Sequence, residues 1–117
     1  MARILIADDD LLILTLLQEI LDDAGHEAIS VSTGLEVEKI LAQQPVDLLL
    51  TDIFMPDREG IETIMLTRKA YPDLPILAMS SNSDYLRMAN KLGADAILAK
   101  PVNEDELLQL LDRLLKP

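Results

Sequence analysis

The stretch Val46 to Gly60, VDLLLTDIFMPDREG, decides how the rest of the chain is read. Leu48, Leu49 and Leu50 make a short apolar run that ends in Thr51 and then a single aspartate, Asp52. Ile53, Phe54, Met55 and Pro56 follow. A charge placed directly after a run that reads as a buried strand is costly. The cost is relieved if the strand ends there and the carboxylate faces a cleft that holds a cation. A cation needs further oxygen ligands. Asp8 and Asp9 offer them, directly after a second apolar run, Arg3-Ile4-Leu5-Ile6-Ala7.

Working outward from Asp52, Pro45 marks the turn into a strand over Val46 to Thr51, and Pro56 to Glu59 reads as a loop. The first apolar run is another strand. It is followed by a strongly helical segment, Leu11 to Ala24, with Gly25 as its stop. On that helix Leu12, Leu16, Glu19 and Ile20 share the spacing of one face, with Ile13, Leu17 and Leu21 beside it. Glu27 to Val31 alternates polar and apolar and reads as a strand. Thr33 and Glu36 fit a capping box for a helix that runs to about Gln43. After the central stretch come a helix over Gly60 to Ala70 and a connector held between Pro72 and Pro75. A strand follows over Ile76 to Met79, ending in Ser80-Ser81-Asn82. Ser83 is placed to cap a helix over Asp84 to Leu92, with Gly93 as its stop. Ala96 to Ala99 is a last strand, ending in Lys100-Pro101. Asn103 and Glu106 open a final helix with Leu107, Leu110, Leu111 and Leu114 as its inner stripe and Lys116 at its end.

Five strands alternating with five helices demand a parallel sheet covered on both faces, an α/β fold. At 117 residues, half of them hydrophobic, the expectation is one domain over 1–117 with a real core. No apolar run approaches the roughly 20 residues of a membrane span. The N-terminus MARILIADDD lacks a signal-peptide layout, because acids follow the apolar run at once. A cytoplasmic location is the default expectation. No cysteine is present, which excludes disulfides and thiolate metal sites. The net charge of −11 argues against direct nucleic-acid binding by this chain. Two Tyr, one Phe and no Trp leave little for a stacking surface.

The polar residues fall in a pattern. Asp8 and Asp9 follow the first strand, Asp52 the third, Ser80 the fourth and Lys100 the fifth. In open parallel α/β sheets, sites form outside those strand ends, so these side chains should meet in one crevice. Three carboxylates in a small crevice repel one another; protonation would relieve that, and a hard divalent cation such as Mg²⁺, with its oxygen coordination, is the favoured remedy. Taken alone, each residue has a plainer reading. Asp8-Asp9-Asp10 could be a solvated helix N-terminus, with Asp10 a cap or first-turn acid. Lys100 could be a surface lysine, or a counter-charge and clamp for a phosphoryl oxygen. Ser80 could be a loop serine. Asp57 and Glu59 read as solvated loop residues, His26 as a surface residue in a turn, and the methionines as core filler.

Together these residues make the chain resemble a response-regulator receiver domain, the CheY-like module of two-component signalling. The motifs stand here as Asp8-Asp9, Asp52-Ile53-Phe54-Met55-Pro56, Ser80 and Lys100-Pro101. The resemblance covers the whole chain and implies a flavodoxin-like sheet of order 2-1-3-4-5. It implies that Asp52 is the phosphoacceptor for a kinase phosphohistidine or a small donor such as acetyl phosphate. It implies Mg²⁺ held by Asp9 directly, Asp8 through water, Asp52, and the backbone carbonyl of Phe54. Lys100 would neutralise the transferred group, and Ser80 would donate to it and be drawn inward, shifting a surface around the fourth helix and fifth strand. The implied partners are a sensor histidine kinase or histidine phosphotransfer protein and a downstream effector protein or fused output domain. A homodimer through the fourth-helix face is compatible with it.

Two positions depart from the family pattern. Ile97 stands three residues before Lys100, where Tyr or Phe is usual, and Val102 stands where Phe is common. Phe54 and Asn82 occupy the variable positions flanking the site, and a ring at Phe54 is placed to shield the phosphoryl group. The competing reading is a phosphate-independent protein-interaction module on the same fold, which only Ile97 favours. A Mg²⁺-dependent hydrolase would need a substrate cap that the chain has no insertion for. A flavodoxin would not place three acids where its phosphate loop belongs.

Overall fold

Apolar period-two runs and helical stripes become β1 (Arg3–Ala7), α1 (Leu11–Asp23), β2 (Glu27–Val31), α2 (Gly34–Gln43), β3 (Leu48–Asp52), α3 (Gly60–Ala70), β4 (Ile76–Ser80), α4 (Ser83–Leu92), β5 (Ala96–Ala99) and α5 (Glu104–Leu114). A computed structural model describes residues 1–54 and 60–116. The expectations for Met55, Pro56, Asp57 and Glu59 therefore lie outside the described residues. The strands form one parallel sheet in the order β2-β1-β3-β4-β5, as the resemblance implied.

Alternation along each strand sorts its side chains between two cores. Ile4, Ile6, Leu48, Leu50, Leu77, Met79 and Leu98 pack with α1 and α5 through Leu14, Leu17, Leu107 and Leu111. Leu5, Ala7, Leu49, Ile76 and Ala78 pack with α2, α3 and α4 through Val37, Leu41, Ile64, Leu86 and Ala89. β3 and β4 are buried along their whole length, as central strands of a doubly covered sheet must be.

Four local expectations need correction. The third strand begins at Leu48, not Val46, and includes Asp52. Asp47 explains the start: its carboxylate accepts the Arg3 N–H at 2.7 Å in place of a ladder bond. The Ile53 N–H donates to the Met79 carbonyl at 3.1 Å and carries pairing past Thr51. The fourth strand likewise includes Ser80, whose carbonyl accepts the Lys100 N–H at 3.0 Å. The cap of α4 is Asn82, not Ser83, because its side-chain oxygen accepts the Asp84 and Tyr85 N–H groups.

The inner face of α1 also differs. Leu14, Leu17, Ile20 and Leu21 are buried, while Leu12 is 82% and Leu16 46% exposed. Apolar residues nearly encircle this helix, so periodicity alone does not choose a face. The buried face is the one that packs with strand residues and α5 in one core; at the helix start Asp8 Oδ1 accepts the Asp10 N–H and Asp10 caps the Leu12 N–H, each at 2.9 Å. Asp10, Thr33 and Asn103 are the caps the sequence marks.

Two structural roles escape the sequence. His26, read as a surface residue, accepts the Ala2 N–H on Nδ1 at 3.1 Å. Arg68 ties two loops together, those between α3 and β4 and between α4 and β5. Its guanidinium donates to the carbonyls of Gly93, Pro72 and Leu74 at 2.8–2.9 Å and pairs with Asp95 at 2.6 Å. Asp95 in turn accepts the Ile76 N–H at 2.8 Å, where β4 begins. Arg68→Ala strands several carbonyls and one carboxylate, and a loss of about 2 kcal/mol is expected in denaturant unfolding. An unchanged midpoint would mean that water replaces the guanidinium at no cost.

Candidate functional site

Strand parity builds the site. Ile4 and Ile6 on β1, Leu48 and Leu50 on β3, and Ala96 and Leu98 on β5 line the core under α1 and α5. Continuing each series by two residues reaches Asp8, Asp52 and Lys100 at the carboxyl ends of those strands. The sheet thus turns three separated polar residues to one side, at one end. Asp8 is fully buried and Asp52 only 6% exposed, whereas Asp9 is exposed.

Lys100 Nζ lies 2.8 Å from Asp8 Oδ2 and 3.2 Å from Asp52 Oδ1. Among the described residues it is the cation that both carboxylates share. Asp52 Oδ1 also accepts the Ile53 N–H at 2.9 Å. Carboxylate oxygens of Asp8, Asp9 and Asp52 lie within 4.8 Å of one another. Burial and the nearby Asp8 charge push the Asp52 carboxyl above its ordinary pKa, and Lys100 and the Ile53 N–H offset this only in part. Burial pulls the Lys100 ammonium down, but its bond to Asp8 and the charges of Asp52 and Asp8 outweigh that and leave it above the ordinary lysine value.

Ser80 stands at the neighbouring strand end but belongs to the opposite series, with Ile76 and Ala78. Its hydroxyl is buried and accepts the Asn82 N–H at 3.0 Å. The structure therefore gathers Asp8, Asp9, Asp52 and Lys100 directly and sets Ser80 beside them. The Phe54 ring meets Tyr85 of α4 edge to face, with centroids 4.5 Å apart. Ile97 projects from β5 at 37% exposure. Gly60 is a site residue that the sequence shows only as a helix start. A Cβ there would lie 2.2 Å from the Asp52 carbonyl oxygen, so only glycine lets α3 begin against the end of β3.

Three hard carboxylate donors around one point fit a small divalent cation that keeps part of its water shell. Residues 4–112 match the family described as response regulator receiver domain. The chain belongs to that family. It is 35% identical over 97% of its length to the DNA-binding transcriptional regulator NtrC of Rhizobium meliloti. It is 35% identical over 99% to the transcriptional regulatory protein CpxR of Klebsiella pneumoniae. The receiver spans 24% of that NtrC and 50% of that CpxR. The chemotaxis response regulator CheY4 of Vibrio cholerae superposes with a TM-score of 0.89 and 29% identity, over 98% of this chain and 99% of that one. No described helix of the receiver is long and apolar enough to cross a membrane.

Proposed function

We infer that this receiver takes a phosphoryl group on Asp52 and uses it to switch a protein-interaction surface. The observation that carries the reading is the sharing of Lys100 between the buried carboxylates of Asp8 and Asp52, beside exposed Asp9. In the proposed step an Asp52 carboxylate oxygen attacks phosphorus while the bond to the donor breaks. From a phosphohistidine, the imidazole nitrogen leaves with the electron pair, and Asp52 becomes an acyl phosphate. Lys100 stays close to the reacting oxygens and balances the added charge, so positioning and electrostatics supply the catalysis. Asp8, Asp9, Asp52 and the Phe54 carbonyl would hold Mg²⁺, which supplies further charge neutralisation when bound. Ser80 would turn its hydroxyl to a phosphoryl oxygen and draw on Asn82, to which it is bonded. Water attack resets the switch.

The partners of this reading are a sensor histidine kinase or histidine phosphotransfer protein and an effector or fused output domain, with the receiver itself in the cytoplasm. The NtrC and CpxR relatives, which extend well beyond their receivers, support an output domain. Exposed, aliphatic Ile97 favours the alternative of a phosphate-independent interaction module.

Intact mass after incubation with acetyl phosphate and Mg²⁺ separates the two. A gain of one phosphoryl group, lost with a chelator and lost in Asp52→Asn, is the expected result; no gain from any donor, including cognate kinase, favours the module. The metal has its own test in Asp9→Asn, which removes an exposed carboxylate. At a hundredfold excess over Kd, Mg²⁺ should stabilise the native chain by about 2.7 kcal/mol. The same Mg²⁺ concentration should stabilise the variant less. An equal gain in both would remove Asp9 from the metal site.

A further inference from the structure

The chain has three aromatic residues, and two of them meet: Phe54, two residues after Asp52, and Tyr85. The Phe54 and Tyr85 rings stand 4.5 Å apart at an interplanar angle of 82°, the favoured edge-to-face arrangement. Phe54 directly follows Ile53, whose N–H is bonded to Asp52. Tyr85 lies in the first turn of α4, and its N–H donates to Asn82, the cap whose own N–H donates to Ser80 Oγ. β3 and β4 are adjacent strands, with Asp52 paired to Met79, the residue before Ser80. The ring pair therefore joins the two segments that leave these strands, one carrying Asp52 and the other Ser80. Burial does not account for where Phe54 sits, because the residue remains 46% exposed. Tyr85, by contrast, is partly buried against the core under α2, α3 and α4, which gives it a fixed seat from which to hold the other ring.

We propose that Tyr85 is a positioning residue that holds the Phe54 ring as an apolar wall at the phosphoryl site and so sets the lifetime of phosphorylated Asp52. This rests on Asp52 being the phosphoacceptor. Loss of the phosphoryl group requires a water oxygen to bond to phosphorus while the bond from phosphorus to the Asp52 oxygen breaks. The carboxylate leaves with the electron pair, and inorganic phosphate and a proton are released. A ring fixed beside phosphorus narrows the approach of that water; a ring freed to swing into solvent does not.

The experiment loads the native chain, Tyr85→Ala, Tyr85→Phe, Phe54→Ala and the double alanine variant with acetyl phosphate and Mg²⁺. It then removes the donor and follows the phosphorylated mass with time. Loading itself reports that each variant is folded with its site intact. Tyr85→Ala and Phe54→Ala should lose the group several-fold faster than the native chain and by similar factors. The double variant should be no faster than either, since both changes remove one wall. Tyr85→Phe keeps the ring and should decay at the native rate, which shows that the ring and not the hydroxyl acts; a general loosening of α4 would instead add to the Phe54→Ala effect in the double variant. If all variants load and Tyr85→Ala decays at the native rate, the positioning role is overturned and the phosphoacceptor reading stands. If nothing loads, from acetyl phosphate or from kinase, both are overturned.

Discussion

Asp52→Asn is expected to abolish phosphoryl uptake and, in the same protein, to raise thermal stability at neutral pH. Asparagine has nearly the shape of aspartate and keeps an oxygen for the Ile53 N–H, which Asp52 accepts at 2.9 Å. What it removes is a charge on a residue only 6% exposed and close to a second buried carboxylate. Burial, then Asp8, raises the Asp52 pKa above 3.8 in the folded chain. A group whose folded pKa is raised contributes stability that is fully present below the unfolded value and is lost as pH rises through the folded value. At pH 7 the ionised carboxylate is therefore a net cost, and the neutral amide is free of it. Melting curves with a divalent-cation chelator should place Asp52→Asn above the native chain at pH 7. The difference should shrink as the pH falls through the raised pKa and should vanish below 3.8. Mg²⁺ should narrow it by stabilising only the native chain. Equal melting at pH 7 would mean that Lys100 offsets the whole cost of burial. A gap that widens on acidification would reverse the sign assigned to the Asp52 shift.

The same cost made the site readable. A lone aspartate after Leu48-Leu49-Leu50 breaks the rule that buried strands are apolar, and such breaks gather where function demands them. Helix caps were legible to within a residue because they depend on neighbours in sequence: Asp10, Thr33 and Asn103 each bond an amide two or three residues on. Features set by distant partners were not. The face that α1 buries is the one that packs on the sheet and α5, and the apolar residues of that helix fit more than one answer. Arg68 looks like any helix-end arginine until Gly93 and Asp95 come against it. Parity was available and decisive: residues 4, 6 and 8, 48, 50 and 52, and 96, 98 and 100 form three even series, while Ser80 falls in the row of Ile76 and Ala78. That row explains why its hydroxyl bonds Asn82 here and not the carboxylates. The Phe54–Tyr85 contact joins residues 31 positions apart, and no local pattern announces it.

Lys100→Ala should produce the largest loss of stability of any single change at this site. Asp8 is fully buried, and Lys100 is its ion-pair partner at 2.8 Å, with Asp52 Oδ1 at 3.2 Å. Removing one member of a buried pair leaves the other charge without compensation and typically costs 3–5 kcal/mol. Here two carboxylates lose their shared cation, so a loss of about 3 kcal/mol or more is expected in denaturant unfolding at pH 7 with a chelator present. The pH dependence separates lost charge from lost packing. The folded Lys100 pKa lies above 10.5, so its stabilising contribution is complete below that value and is lost as pH rises through the folded one. The native chain should weaken in that alkaline range, and the variant has no such contribution to lose. At the acid end, protonation of Asp52 relieves the repulsion that the variant leaves uncompensated, so the gap between the two proteins should narrow. Mg²⁺ should restore part of the loss, because a bound divalent cation replaces the missing charge among Asp8, Asp9 and Asp52. Lys100→Met, which keeps much of the apolar stem, should recover only the packing share and still show the charge-dependent deficit. If Lys100→Ala instead unfolds with the native chain across this whole pH range, the two carboxylates must be solvated in the folded protein. Their closeness would then be no reason to expect a metal between them.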